Sequence, residues 1–489
     1  MARKSNFIGA AANFAIQYNL SVLSLALKFM TSRGDALIAA DDHVTRPDFP
    51  EPAWVGEVLL GAVFAGTIVG MTSLGVVGDA FGRRTGLLAS LAIVIAASLA
   101  AAFASWGDAA TVYSVLCACR FLVGVGVGGM YPNGAALSAE GAAADEDSAE
   151  RVGWAFFWQM PGQIAPVLVA YALLLLPADL PALTSVQFRV MLALGALPAA
   201  ITWVAVYRMA PLQAPEPEAK LAAGGSGGDG DGDRGRDLGA TAAASPGLGL
   251  EALAAAIFRH PEHQRTLLGT ASTWLLWDIN CYGTSIFTPA ILSAIFPSSE
   301  SMSDLLWQSL AVTSFGLLGI LAAIPALHRF GGTWLSLWGF VLQAALFGTF
   351  GALFAASPTG LTGVKFATFC ALSFAQGWGC NLSTYVLPTQ LFPAEVRATF
   401  HGLSAAAGKL GAVIGTFMFV PVLAAGGVAS VMWLQVAVCL AGAAATQVLL
   451  PAVVPEAARV AAAAAAGAGG ARDDEEGGSE EKGLLGDAR

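Results

Sequence analysis

The stretch GVVGDAFGRR, residues 75–84, sits between two apolar runs, 54–77 and 86–106. Each run has the roughly 20 residues that a helix needs to cross a bilayer. The decapeptide therefore reads as a tight polar turn at a membrane surface, distinguished by Gly75, Asp79, Gly82, Arg83 and Arg84. Runs of the same order recur near 9–29, 111–138, 152–176, 187–208, 265–292, 306–327, 333–356, 364–388, 402–424 and 428–452. Barrel strands would alternate in polarity and be about half as long. The pattern predicts an all-α membrane protein with twelve transmembrane helices.

Composition points the same way. The 489 residues are 56% hydrophobic and 12% charged, against about 25% charged in soluble domains. The net charge of -10 marks no binding face, because seven acids crowd the tail (Asp473, Asp474, Glu475, Glu476, Glu480, Glu481 and Asp487), where like charges keep a segment solvated. No basic stretch suggests nucleic acid. Each of the six cysteines falls inside an expected span, which argues against a disulfide framework or a zinc site. No nucleophile–base set or phosphate loop stands out, so neither enzyme activity nor a metal or cofactor is expected.

Six spans, a polar interruption and six more spans divide the chain into a helical bundle over 1–208, a linker over 209–264, a second bundle over 265–452 and an acidic tail over 453–489. Within the linker, GGSGGDGDGDRGRDLG (224–239) has the composition of a flexible tether. Its Asp229, Asp231 and Asp233 resemble the start of a calcium loop, but Arg234 and Ala240 replace the required glycine and terminal glutamate. Leu250, Leu253, Ala254 and Ile257 share one face of a short helix expected at the membrane surface.

Arg3, Lys4, Arg83, Arg84, Arg151, Arg208, Arg265 and Arg397 all fall on one side if the N-terminus is cytoplasmic, with Arg33 and Arg46 opposed. Positive loops face the cytoplasm, so both termini and the linker are expected there. The halves echo each other: IQYNLS (16–21) against NCYGTS (280–285), and DAFGRR (79–84) against HRFGGT (328–333). Such repeats place a substrate site between the halves, near the bilayer midplane.

A carboxylate, Asp278, lies within the span that holds WLLWDINCY (274–282). Trp274, Asp278 and Tyr282 are one helical turn apart and can face one cavity. A charge turned to lipid is costly, so Asp278 is expected to face water, a cation or a substrate, with Lys409 as a candidate counter-charge. A structural ion pair with Lys409 or Arg120 is the plainer alternative.

Several motifs then resemble one family. GVVGDAFGRR resembles the signature loop of the major facilitator superfamily, and Arg120 followed by Gly124 resembles its fourth-helix motif. The longer string RFLVGVGVGGMYPNGAALSAE (120–140) resembles the phosphate:proton symporter family, as do FFWQMPGQ (156–163) and GCNLSTYVLPTQLFPAEVRATFHGLSAAAGKLGAVIG (379–415). The Trp-x3-Asp-x3-Tyr spacing fits as well. The resemblance covers the membrane region and excludes the linker and tail.

It implies two six-helix bundles working by alternating access. It also implies inorganic phosphate held by Tyr131, Gln159, Trp274, Asp278, Tyr282, Asn381 and Lys409, a proton handled by Asp278 with Arg120, and a gate formed by the 75–84 loop. Phosphate at neutral pH keeps a hydroxyl that can donate to Asp278, whereas sulfate has none. The family's further acids are missing: Ile16, Asn19, Leu88 and Met130 stand in their places. That leaves open a coupling through Asp278 alone, another ion, a phosphate uniporter, a transporter of another anion or organic solute, or a non-transporting sensor. The tail's EEKGLLGD, with Glu480, Leu484 and Leu485, has the form of an acidic dileucine signal. A monomer or loose oligomer in the plasma membrane is the expected setting, with a vacuolar or other internal membrane second.

Overall fold

The computed structural model describes residues 2–31, 49–52, 54–141, 148–177, 182–209, 261–297, 302–394 and 396–453. The tether with Asp229, Asp231 and Asp233, the surface helix expected around Leu250–Ile257, Arg33 and Arg46, and the acidic tail with its dileucine lie outside these residues.

Helices α1 (Ala2–Thr31), α2 (Val55–Phe81), α3 (Arg83–Phe103) and α4 (Ala109–Glu140) form the first four spans. The fifth span is α5 (Ser148–Phe157) with α6 (Gln159–Leu174), and the sixth is α7 (Leu183–Leu194) with α8 (Ala196–Tyr207). In the second half, α9 (Pro261–Ser285) and α10 (Thr288–Ile295) make the seventh span; α11 (Met302–Phe330) and α12 (Gly332–Ala356) follow. The tenth comprises α13 (Thr362–Trp378) and α14 (Cys380–Leu391). The last two lie in α15 (Arg397–Leu449), bent where Gly427 takes φ 69°.

Four of the spans are broken into two helices, and prolines accompany three of the breaks. A proline supplies no N–H to the carbonyl four residues earlier. Pro161, Pro198 and Pro289 thereby deprive Phe157, Leu194 and Ser285, the final residues of α5, α7 and α9. The fourth break, at Gly379, has φ −110° and ψ −100°. A Cβ there would meet Gly339 Cα at 2.3 Å, so two backbones touch where no side chain fits.

Among the described residues, ten helical segments are long and apolar enough to cross a membrane on composition alone. The seventh and tenth spans are not among them. These two carry Trp274, Asp278, Tyr282 and Asn381, so the spans that weaken the membrane signal are those that bring polar groups inward.

Both halves use glycine pairs four residues apart for close crossings. A Cβ on Gly124 or Gly128 would fall 2.1 or 2.3 Å from the Val63 or Thr67 carbonyl oxygen of α2, and one on Gly411 or Gly415 would fall 2.1 or 2.5 Å from Leu275 or Ile279 of α9. The repeat also shows in the backbone. Gly82, between α2 and α3, has φ 91°, and Gly331, between α11 and α12, has φ 82°. Only glycine enters that region without strain, so the DAFGRR and HRFGGT echo marks one turn made twice. At the opposite end, exposed Asp108 caps α4 by accepting from Thr111 N at 2.9 Å. Hydrogen bonds from Thr111 hold this carboxyl below the usual range.

Candidate functional site

The two halves meet at the end that carries the 75–84 turn, here called the loop end. The Asp79 carboxylate accepts from Thr399 N at 2.7 Å and also from the Thr399 hydroxyl, in the first turn of α15. A carboxylate is well placed there, because the first N–H groups of a helix lack partners and its N-terminus carries partial positive charge. Arg83 pairs with Asp79 and with Glu140 (3.1 Å), and donates to the Ala394 carbonyl at 2.7 Å. Arg397 reaches Glu140 at 3.4 Å from the other half. Arg84 donates to the Tyr207 carbonyl at 2.8 Å, so it ties the turn to α8 within its own half. Gly75 permits the close approach of α2 and α15: a Cβ there would lie 2.9 Å from the Ala398 oxygen.

Above this closure lies a cavity of about 180 Å³ between the halves, which extends away from the loop end to Ser24, Thr288 and Ser309. Pockets for drug-sized ligands run from about 300 to 1,000 Å³, so the space suits a small solute. All seven residues expected to bind, namely Tyr131, Gln159, Trp274, Asp278, Tyr282, Asn381 and Lys409, line it. Its walls are otherwise hydroxyls, amides and apolar groups, and Asp278 and Lys409 are the only formally charged side chains among the lining residues.

Those two are joined. Lys409 Nζ donates to Asp278 Oδ2 at 2.9 Å and to the Tyr282 hydroxyl at 2.8 Å. Each charged side chain is only 2% exposed. The ion pair considered from sequence is therefore present, and it stands in the cavity wall. The ammonium also lies 4.3 Å from the Tyr282 ring centroid and 5.5 Å from that of Tyr131.

Arg120 is set apart from this group. It is fully buried, but its Nη1 donates to the Asn19 carbonyl at 3.1 Å and it does not line the cavity. Asn19, where the resemblance implies an acid, uses its amide as a donor to the Ala15 and Gly195 carbonyls, both at 2.9 Å. The tyrosines of the sequence echo part company as well: Tyr18 donates to the Met191 carbonyl at 3.0 Å, while Tyr282 faces the cavity.

Sequence reasoning missed the layer beneath the cavity. Asn13 accepts from Gln159 Nε2 at 2.8 Å and donates to the Tyr385 hydroxyl at 3.4 Å. The Tyr385 ring packs 4.6 Å from Phe156 and 5.1 Å from His401, whose Nε2 lies 3.1 Å from the Tyr385 carbonyl. Polar residues inside spans are the signal that could have found Asn13 and His401. Tyr385 carried none beyond being an aromatic in an apolar run.

The sequence matches the family described as "Sugar (and other) transporter" over residues 6–210 and 276–457, most of both bundles. The chain belongs to this transporter family. Among its relatives, the inorganic phosphate transporter PT2 of Toxoplasma gondii is 33% identical over 437 residues, which cover 88% of this chain and 69% of that protein. The probable inorganic phosphate transporter 1-10 of Oryza sativa subsp. japonica is 28% identical over 450 residues, covering 85% and 79%. The solved structure of the major facilitator proton:xylose symporter XylE bound to 6-bromo-6-deoxy-D-glucose superposes with a TM-score of 0.68 at 16% identity, covering 92% of this chain and 96% of that one. At that identity the likeness speaks for the twelve-helix major facilitator fold alone. Membership of a transporter family accords with a multi-pass membrane protein that is not an enzyme.

Proposed function

We propose that this family member carries inorganic phosphate across a membrane by alternating access, with the cavity as its binding site. The observation that carries the reading is the Asp278–Lys409–Tyr282 cluster, one cation and one carboxylate in a small cavity otherwise lined by neutral groups. Lys409, Tyr282, Tyr131, Gln159, Trp274 and Asn381 can donate to the oxygens of a tetrahedral anion. Asp278 can accept from a hydroxyl that only a protonated oxyanion keeps, and so disfavours sulfate. The names of the two relatives support phosphate as the substrate.

Asp278 is also the proposed proton carrier. With Lys409 it makes the cavity neutral; a bound monovalent phosphate adds one negative charge, which one proton cancels. Arg120, outside the cavity, acts through packing of α4 on α1. The proposed units are the bundles over 1–208 and 265–452, joined by the 209–264 linker and followed by the 453–489 tail. The proposed setting is a monomer or loose oligomer in the plasma membrane, with the loop end and both termini cytoplasmic.

Radiolabelled phosphate uptake into proteoliposomes, with and without an imposed proton gradient, tests the reading. Phosphate uptake that sulfate does not inhibit is expected, and a proton gradient directed inward should raise it. Uptake indifferent to the gradient would leave a uniporter or another coupling ion. Absence of uptake would refute phosphate transport and favour another solute or a sensor.

A further inference from the structure

Tyr385, in α14 of the second half, packs against the first half beneath the cavity. It is 1% exposed and sits one position past Thr384, which lines the cavity floor. Its ring meets Phe156 of α5 at 4.6 Å and Tyr131 of α4 at 6.0 Å, both in the first half. On its own side it meets Trp274 at 6.4 Å and His401 at 5.1 Å. Its hydroxyl is the second-half end of a polar chain that runs through Asn13 to Gln159. Further toward the loop end the same stretch of chain reaches Ala394 and Arg397, which bond to Arg83 and Glu140.

Asn13 has a double part in this layer. Its Oδ1 takes one N–H of Gln159, which fixes the rotation of an amide in the cavity wall. Its Nδ2 donates to the Gly9 carbonyl at 2.9 Å and to Tyr385 at the longer 3.4 Å. The first bond orients a cavity residue within one half. The second crosses to the other half and has to break whenever the halves separate at the loop end.

We propose that Asn13 and Tyr385 form a latch beneath the cavity, in which Asn13 positions Gln159 for the solute and Tyr385 sets how readily the cavity opens toward the loop end. This rests on the reading of the cavity as the phosphate site. The two functions are separable because the two bonds use different atoms of Asn13. Loss of the Tyr385 hydroxyl frees the latch without disturbing Gln159, and loss of the whole ring removes the plug. Loss of the Asn13 amide releases the latch and Gln159 together.

Cys281, half-buried in the cavity wall, provides a native reporter. Full-length protein in proteoliposomes of known orientation is treated from the loop end with a membrane-impermeant methanethiosulfonate, with and without inorganic phosphate, and modification of Cys281 is read by peptide mass. Wild type is expected to react slowly, with phosphate protecting it. Tyr385→Phe, nearly isosteric, should raise the loop-end rate by about threefold, the lower range for one lost hydrogen bond. Tyr385→Ala should raise it at least about tenfold, because plug and bond are both gone. In Tyr385→Phe, which keeps the ring against Tyr131 and Trp274, the phosphate concentration for half-protection should stay within about threefold of wild type. Asn13→Ala should raise access and also weaken protection by about tenfold, because Gln159 loses its partner.

Loop-end rates at the wild-type value in Tyr385→Phe and Tyr385→Ala alike would overturn the latch. So would weakened phosphate protection in Tyr385→Phe equal to that in Asn13→Ala, since the two functions would then be one. A failure of the site reading appears elsewhere: phosphate would not protect Cys281 in the wild type at all.

Discussion

Lys409 and Arg120 are both buried cations inside membrane helices, yet their surroundings differ. Lys409 faces a carboxylate and a phenol at the edge of a cavity, whereas Arg120 holds a backbone carbonyl in helix packing away from it. Two Arg120 nitrogens, Nε and Nη2, have no hydrogen-bond partner among the described residues. The difference teaches where binding chemistry can reside. A cation that serves a solute has partners that the solute can replace; a cation that serves packing is bound to groups no solute reaches. The charged part of the cavity wall thus belongs to the second half, and the first half contributes the neutral Tyr131 and Gln159.

The strongest way to break this contrast is Asp278→Asn. Removing one member of a buried pair costs about 3–5 kcal/mol, and a loss of more than about 100-fold in phosphate uptake is expected in proteoliposomes. Wild-type uptake by this variant would show that the pair is only structural.

Asp79→Asn comes next. The Asp79 carboxylate closes the loop end through Thr399 and Arg83, and a hydrogen bond to a charged group contributes about 1.5–3 kcal/mol. Losing that charge should raise loop-end modification of Cys281 by about tenfold. An unchanged rate would mean that the Arg83, Arg397 and Glu140 contacts suffice for closure.

Arg120→Met sharpens the comparison through a smaller effect. Replacing a buried, incompletely paired ion by an apolar side chain of similar length is often neutral for stability. Phosphate binding, read by equilibrium dialysis of the purified protein, should remain within about threefold of wild type. A tenfold loss would bring Arg120 into the site's function after all.

The smallest effect is expected at exposed Asp108, far from both cations. Asp108→Ala should lower the melting temperature slightly at neutral pH. Because the native carboxyl titrates below its ordinary value of 3.8, its contribution is complete above that value and is lost as the pH falls through the lower native one. The difference between wild type and variant should therefore vanish in acid. A difference that persisted at low pH would remove the cap as its cause.

Much of this molecule is legible in order along the chain. Apolar run lengths mark the spans, and the Gly82 and Gly331 turns are visible as an echo between halves. The breaks after Phe157, Leu194 and Ser285 coincide with prolines four residues on. But Pro132, Pro166, Pro325, Pro388 and Pro421 lie inside continuous helices, so a proline by itself does not state where a span breaks. The one-turn spacing of Trp274, Asp278 and Tyr282 puts them on one face by periodicity alone, since helical periodicity is local. The identity of the residues expected to bind came from resemblance, and their convergence in one cavity came only from the fold.

Tertiary structure decided what periodicity could not. A helix's sequence states which residues share a face, but the rotation of that face depends on the neighbour it packs against. Arg120 and Tyr131 lie eleven residues apart on nearly one face of α4, yet the first meets α1 and the second lines the cavity, because the neighbour differs with height along the helix. The contacts of Asn13 with Tyr385 and of Asp79 with Thr399 span hundreds of residues and two separately built halves. No local pattern encodes them. They exist because the bundles meet at one end, and sequence alone does not state how two such faces dock.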